Sequence, residues 1–231
     1  NVGIFVLHAI FTASFIVSPI ALLHEVGLPT NRQWILYLPS LLVAFCLALF
    51  LIGMSERKQQ VKPYFIGGIA LLIVAEIVLW LSGSNILIAA CGLALFFSAF
   101  SLLEAFLPSL VSRTAPAASK GSALGIYSSA QFLGIFVGGA FGGWIYSHYH
   151  FWGVYLFCVI LLIIWFALAL FMQPPRYLVT RTLQLSKAAQ KRWPTIVDDL
   201  RRIPGIVETV LIAEDNMAYL KMDRNTAKHP D

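Results

Sequence analysis

The chain has 231 residues, 59% of them hydrophobic and only 12% charged, whereas an ordinary soluble domain is about 45–50% apolar and about 25% charged. Its three cysteines, Cys46, Cys91 and Cys158, show no Cys-x-x-Cys or Cys/His spacing, which argues against a disulfide or metal framework. The formal net charge of +5 does not make a nucleic-acid surface: up to Met172 there are six Lys/Arg and four Asp/Glu, and the 59 residues after it hold the other ten and seven, so the bases lie in loops and in a mixed tail.

Six apolar stretches follow one another at residues 2–23, 34–54, 64–81, 86–111, 123–146 and 151–172. Each holds roughly 18–26 residues, enough at about 1.5 Å per residue to cover a hydrocarbon slab of roughly 30 Å. In lipid a backbone must satisfy its own hydrogen bonds, so all six are expected to be helices. The first is too long for the apolar core of a leader peptide, and no small-residue cleavage site follows it. The chain starts at Asn1, without a methionine and hard against this span, so further sequence upstream is expected. The fold class expected is mainly α: a polytopic membrane helix bundle over residues 1–173, then a small α+β water-facing domain over 174–231, with Gln173, Pro174 and Pro175 as the joint.

In the first span His8 shares a helical face with Thr12. An imidazole titrates near neutral pH and suits proton coupling, while a hydrogen-bonded structural histidine fits equally well. The connector over 56–62 carries Glu56, Arg57, Lys58 and Lys62. Glu76 sits in mid-span among Leu, Ile and Val, where a structural pairing is expected. Glu104 lies inside the fourth span, with Ser101 one turn before it and Pro108 one turn after. The proline lacks an amide hydrogen and frees a carbonyl near the carboxyl. Glu104 is then either a proton-titrating group on an internal cavity or a carboxyl snorkelling at the cytoplasmic edge. In the fifth span Gly134, Gly138 and Gly142 recur every four residues, with Gly139 and Gly143 beside them. Small residues so spaced let two helix backbones approach closely, so a packing or rocking seam is expected, with Tyr127 and Gln131 near solute. No His-x-x-x-His, Gly-x-Ser-x-Gly or paired intramembrane aspartates appear, so no catalytic residues are assigned and the chain is not read as an enzyme.

Alternate connectors differ in charge. Arg57, Lys58 and Lys62, then Arg113 and Lys120, then Arg176 and Arg181 mark one side as cytoplasmic. Trp34, Trp80, Trp144 and Trp152 sit at span ends on the other side, where an indole keeps its ring among headgroups. Both patterns put the tail in the cytoplasm. Within it, 179–185 alternates as a strand, 194–203 carries Ile196, Val197, Leu200 and Ile203 at helical spacing, and 203–212 and 218–223 read as strands about a turn. The tail bases Arg176, Arg181, Lys191, Arg201 and Arg202 suit either a solvated face or a surface for acidic headgroups.

The run Arg113…Lys120-Gly-Ser-Ala-Leu-Gly125…Gly134-x3-Gly138-Gly139-x2-Gly142-Gly143 resembles the loop and eleventh helix of the major facilitator superfamily. The six spans would then be that family's C-terminal half, with the six-helix N-terminal half as the missing partner. Glu56, Arg57 and Lys62 resemble a degenerate copy of its cytoplasmic loop motif, with Ile52 and Gln59 where glycines are expected. The β-α-β-β order of the tail is similar to an incomplete ferredoxin-like domain of the heavy-metal-associated type. Ser186, Lys187, Ala188 and Ala189 stand where that type has its Cys-x-x-Cys, so no metal is expected.

The resemblance implies a bacterial inner-membrane, proton-coupled efflux carrier whose halves rock about a central cavity. The first and fourth spans would line that cavity, the second and fifth flank it, and the third and sixth face lipid. His8, Thr12, Glu104, Tyr127 and Gln131 are the expected proton and substrate residues. The partners are lipid and an unknown small molecule; no cofactor is expected, and the proton gradient would supply the energy. The alternative is a non-transporting sensor or scaffold whose membrane part anchors the tail.

Overall fold

A computed structural model describes residues 1–115, 119–173, 178–184, 203, 205–212 and 217–223. It separates into two compact units, Asn1–Pro175 and Arg176–Asp231. The first contains α1 (Val2–His24), α2 (Trp34–Lys58), α3 (Val61–Trp80), α4 (Ile86–Thr114) and α5 (Lys120–Leu170), with one 3-10 turn at Thr30–Arg32. All five helices are long and apolar enough to cross a membrane.

Five continuous runs stand against the six helices expected, two of which meet at a kink inside α5. The expected helices over 123–146 and 151–172 are joined in α5, a run of 51 residues that would measure about 75 Å if straight, more than twice the hydrocarbon core. The four residues between them, Ser147, His148, Tyr149 and His150, include neither glycine nor proline, and the two helices meet at a sharp kink rather than a loop. The backbone leaves helical geometry at His150 alone, at φ 55 and ψ −155. Elsewhere hydropathy misplaced the ends. The helix expected over 34–54 runs to Lys58, the next begins at Val61, and the one expected to stop at 111 reaches Thr114. Apolar length marks the slab, whereas helical bonding continues into polar residues beyond it.

Local chemistry sets the remaining ends. Asn85 caps α4, its Oδ1 accepting from the Leu87 and Ile88 amides at 3.0 and 3.2 Å. Pro19 lies inside α1, and its carbonyl accepts from Gln33 Nε2 at 2.7 Å, which ties the connector back to the helix. The core is built from Leu7, Ile10 and Val17 of α1, Ile69 and Leu72 of α3, Leu93, Leu102 and Leu103 of α4, and Leu162 of α5, all almost fully buried. The outer surface is as apolar as this core: Leu42, Phe45, Phe50, Phe132 and Phe136 are each more than 60% exposed. Water would not tolerate so continuous a patch, and lipid does.

The second unit holds β1 (Leu178–Gln184), β2 (Ile206–Ile212) and β3 (Met217–Asp223) in a sheet of order β1-β3-β2, with both outer strands antiparallel to β3. The two outer strands are therefore parallel to each other, which requires a crossover between them. Ala218 and Leu220 are buried while Thr182 and Gln184 are exposed, the alternation of a sheet covered on one side. β2 starts later than the expected 203 because Gly205 stands at φ 92, outside extended geometry. The expected helix over 194–203 lies, except for Ile203, outside the described residues.

Candidate functional site

The glycines of α5 set how closely α1 approaches. A Cβ built at Gly134 would overlap the Phe5 carbonyl, one at Gly138 the Ala9 backbone, and one at Gly142 would lie 3.0 Å from Ala13 Cα. Residues 5, 9 and 13 repeat every four, as the glycines do, so the two helices meet backbone to backbone along three turns. Gly139 is looser, 3.6 Å from Thr12 Cγ2, and Gly143 meets nothing within 4 Å. Because α1 and α5 run so close, side chains one turn further along can meet across the seam.

They meet at His8. This ring is buried, and its Nε2 lies 2.8 Å from Gln131 Nε2 of α5. As oriented, the amide donates, so Nε2 accepts and the ring proton sits on Nδ1. Nδ1 lies 3.8 Å from Glu104 Oε2 of α4. That separation is too long for a hydrogen bond, and neither atom has another hydrogen-bond partner among the described residues. Pro108 stands four residues after Glu104 inside α4, so the carbonyl that loses its helical donor is Glu104's own. A gain of one proton by the ring would turn the 3.8 Å gap into an ion pair, and a proton on the carboxyl would abolish it.

Two other expected residues stand differently. Thr12 donates to the His8 carbonyl at 2.9 Å, so its hydroxyl is engaged with its own helix rather than held toward solute. Tyr127 is buried, and its hydroxyl has no partner among the described residues. Beside His8 lies an aromatic shelf that sequence reasoning missed. Phe100 meets the imidazole edge to face at 5.7 Å, Phe11 stacks on Phe100 at 4.4 Å and on Phe15 at 4.5 Å, and Tyr37 of α2 stacks on Phe15 at 6.1 Å. The signal was present as pairs four apart, Phe11 with Phe15 and Phe96 with Phe100, which share a helical face.

The loop motif is mostly helical. Glu56 and Arg57 end α2, Lys62 opens α3, and only Gln59 and Gln60 connect them. Glu56 Oε1 lies 2.5 Å from Arg113 Nη2 near the end of α4, and Lys62 Nζ donates to the Leu170 carbonyl at the end of α5 at 2.9 Å. Arg57 is exposed. Glu76 is fully buried: Ser14 of α1 donates to its Oε1 at 2.6 Å, and Cys158 Sγ of α5 lies 3.6 Å from the same hydroxyl. The face of α3 that carries Glu76 therefore points into the bundle, although the third span is expected to face lipid.

Comparison with known proteins adds an independent finding. The family model of the Major Facilitator Superfamily matches residues 1–212. The inner membrane transport protein YajR of Escherichia coli is 36% identical over 223 residues, which is 96% of this chain and 49% of that protein. Two uncharacterized transporters of Buchnera aphidicola are 32% and 31% identical over 72% and 59% of the chain, or 42% and 35% of their own lengths. The chain thus spans about half the length, or less, of the curated relatives it matches.

Proposed function

Since the chain belongs to the major facilitator superfamily, a family of transporters rather than enzymes, we propose that it is the six-crossing C-terminal half of a secondary active carrier that exchanges protons for a small molecule. The break at His150 supports six crossings, because it divides α5 into two runs of 30 and 20 residues on either side, each of spanning length. The observation that carries the proposal is His8 held between Gln131 and Glu104. Three helices, α1, α4 and α5, each contribute one polar side chain to one point inside an apolar bundle, where such groups are costly to keep.

In this reading Glu104 takes up a proton from one side and yields it to the other as the halves rock. His8 answers by holding or releasing the carboxylate, which biases the packing of α1 against α4. The Phe11, Phe15, Phe100 and Tyr37 shelf supports a substrate with an apolar or aromatic body, for which stacking supplies affinity. No cofactor takes part, and the proton gradient drives the cycle. Loop charge and tryptophan placement support a cytoplasmic tail in a bacterial inner membrane. The β1-β3-β2 order with its required crossover supports a ferredoxin-like reading of that tail as a regulatory domain.

The test is Glu104→Gln in the natural full-length protein, reconstituted in proteoliposomes. Solute movement driven by a pH gradient should vanish while elution as a folded, monodisperse species is retained. Unchanged flux would remove Glu104 from the coupling.

A further inference from the structure

Glu76 is the second carboxyl inside the bundle, and the His8 site does not use it. One of its oxygens is satisfied by Ser14, and Oε2 is buried without a partner among the described residues. Buried polar atoms are nearly always paired, so an orphan oxygen on a fully buried carboxyl calls for an explanation. The groups facing it are Ser14 of α1 and Cys158 and Tyr155 of α5, with Tyr37 of α2 beyond Tyr155. Among the described residues no Lys, Arg or His forms an ion pair with it.

A cavity of about 480 Å³ opens at one end of the bundle, bounded by the end of α1, the α3–α4 connection and α5 just after its break. Ser18, Glu25, Trp80, His150, Trp152 and Tyr155 line it. Tyr155 and Ser18 stand together in its wall, and Ser18 stands one helical turn from Ser14. Hydroxyls therefore run from the cavity by way of Tyr155 and Ser18 to Ser14 and the carboxyl. We infer that Glu76 is a proton-binding site separate from His8 and Glu104, reached from this cavity through Tyr155 and Ser18.

Ser14 passes its proton to Oε1 and takes another from Ser18, and the proton leaves by the reverse steps. Each hydroxyl on the route accepts one proton and releases another, so all three end unchanged. His8 and Ser14 are six residues apart on α1, which puts them about 120° apart around the helix. One helix is thus placed between two proton sites, one on either face, and a change at Glu76 alters the packing of α1 against α3 and α5. The inference goes beyond the transport reading and requires only that these helices lie in lipid.

Infrared difference spectroscopy of the full chain in lipid vesicles, between acidic and basic buffer, tests it. A carboxylic-acid carbonyl band is expected that titrates with pH, is lost in Glu76→Gln and survives in Glu104→Gln. Transfer to heavy water should shift that band, and Tyr155→Phe combined with Ser18→Ala should slow the shift severalfold. A Glu76 band of constant intensity across the pH range would make the residue a permanently neutral packing group and overturn the inference. Unslowed exchange in the double variant would overturn the route. If Glu76→Gln fails to fold, Ser14→Ala decides, since it keeps the carboxyl and removes its donor: a displaced titration midpoint supports the site and an unmoved one rejects it. Survival of the band in Glu104→Gln keeps this result distinct from any failure of the transport reading.

Discussion

Gln59 holds φ 54 and ψ 40, the left-handed conformation, immediately after α2. The geometry closes the helix: the Gln59 amide donates to the Glu56 carbonyl at 3.2 Å and the Gln60 amide to the Ser55 carbonyl at 3.1 Å, as a helix-ending turn requires. A side chain at such a position costs about 1–2 kcal/mol, which glycine avoids. The family resemblance expects glycine at this place, and the sequence shows the departure without showing its backbone consequence. Gln59→Gly is therefore expected to stabilise the chain by about 0.5–1 kcal/mol, the strain relieved less the entropy glycine adds to the unfolded chain. Thermal unfolding in detergent measures it, and a lowered midpoint would contradict the strain argument. At His8 the legibility was of another kind. His8, Glu104 and Gln131 each stand out singly as polar residues in apolar helices. Their meeting depends on partners up to 123 residues apart, a distance that no local pattern encodes.

At the scale of helices, the α1–α5 seam rests on glycine having no side chain. An added methyl at Gly138 would overlap the Ala9 backbone, and backbone cannot rotate aside as a flexible side chain would. Gly138→Ala is expected to cost about 1–3 kcal/mol, the usual range for forced overpacking, and to separate His8 from Gln131. Gly143→Ala, with nothing within 4 Å, should be close to neutral and serves as the control. Thermal midpoints of the two variants, measured side by side, check the contrast, and equal midpoints would remove the seam. The four-residue spacing made the seam legible, but it did not say which glycines face α1 or that Phe5, Ala9 and Ala13 oppose them. The same limit hid the Ser14 partner of Glu76. Helical periodicity says which residues share a face, and packing alone says what that face meets. The place where α5 breaks was legible, since hydropathy dips over 147–150 and the backbone leaves helical geometry at His150; that the two helices meet there without a loop was not.

For the whole molecule the question is whether the membrane unit works without the tail. Every residue of the candidate site lies between His8 and Gln131, inside the unit Asn1–Pro175. In the other unit, β1 and β2 both pair with β3, so the described strands form one sheet among themselves. A carrier whose proton and solute groups all sit in helices should keep its chemistry when the sheet is removed. A sensor or scaffold, whose membrane part is only an anchor, should lose everything. Ending the natural protein after Met172 is therefore expected to leave measurable pH-driven flux, changed in rate or in regulation. Proteoliposomes holding equal amounts of the intact and shortened proteins make the comparison, with Glu104→Gln in the shortened form as the zero. Flux indistinguishable from that zero, from a shortened protein that remains folded, would favour the anchored-sensor reading. Retained flux that responds to Glu104→Gln would locate both coupling and transport in the helices and leave the sheet a modulating part.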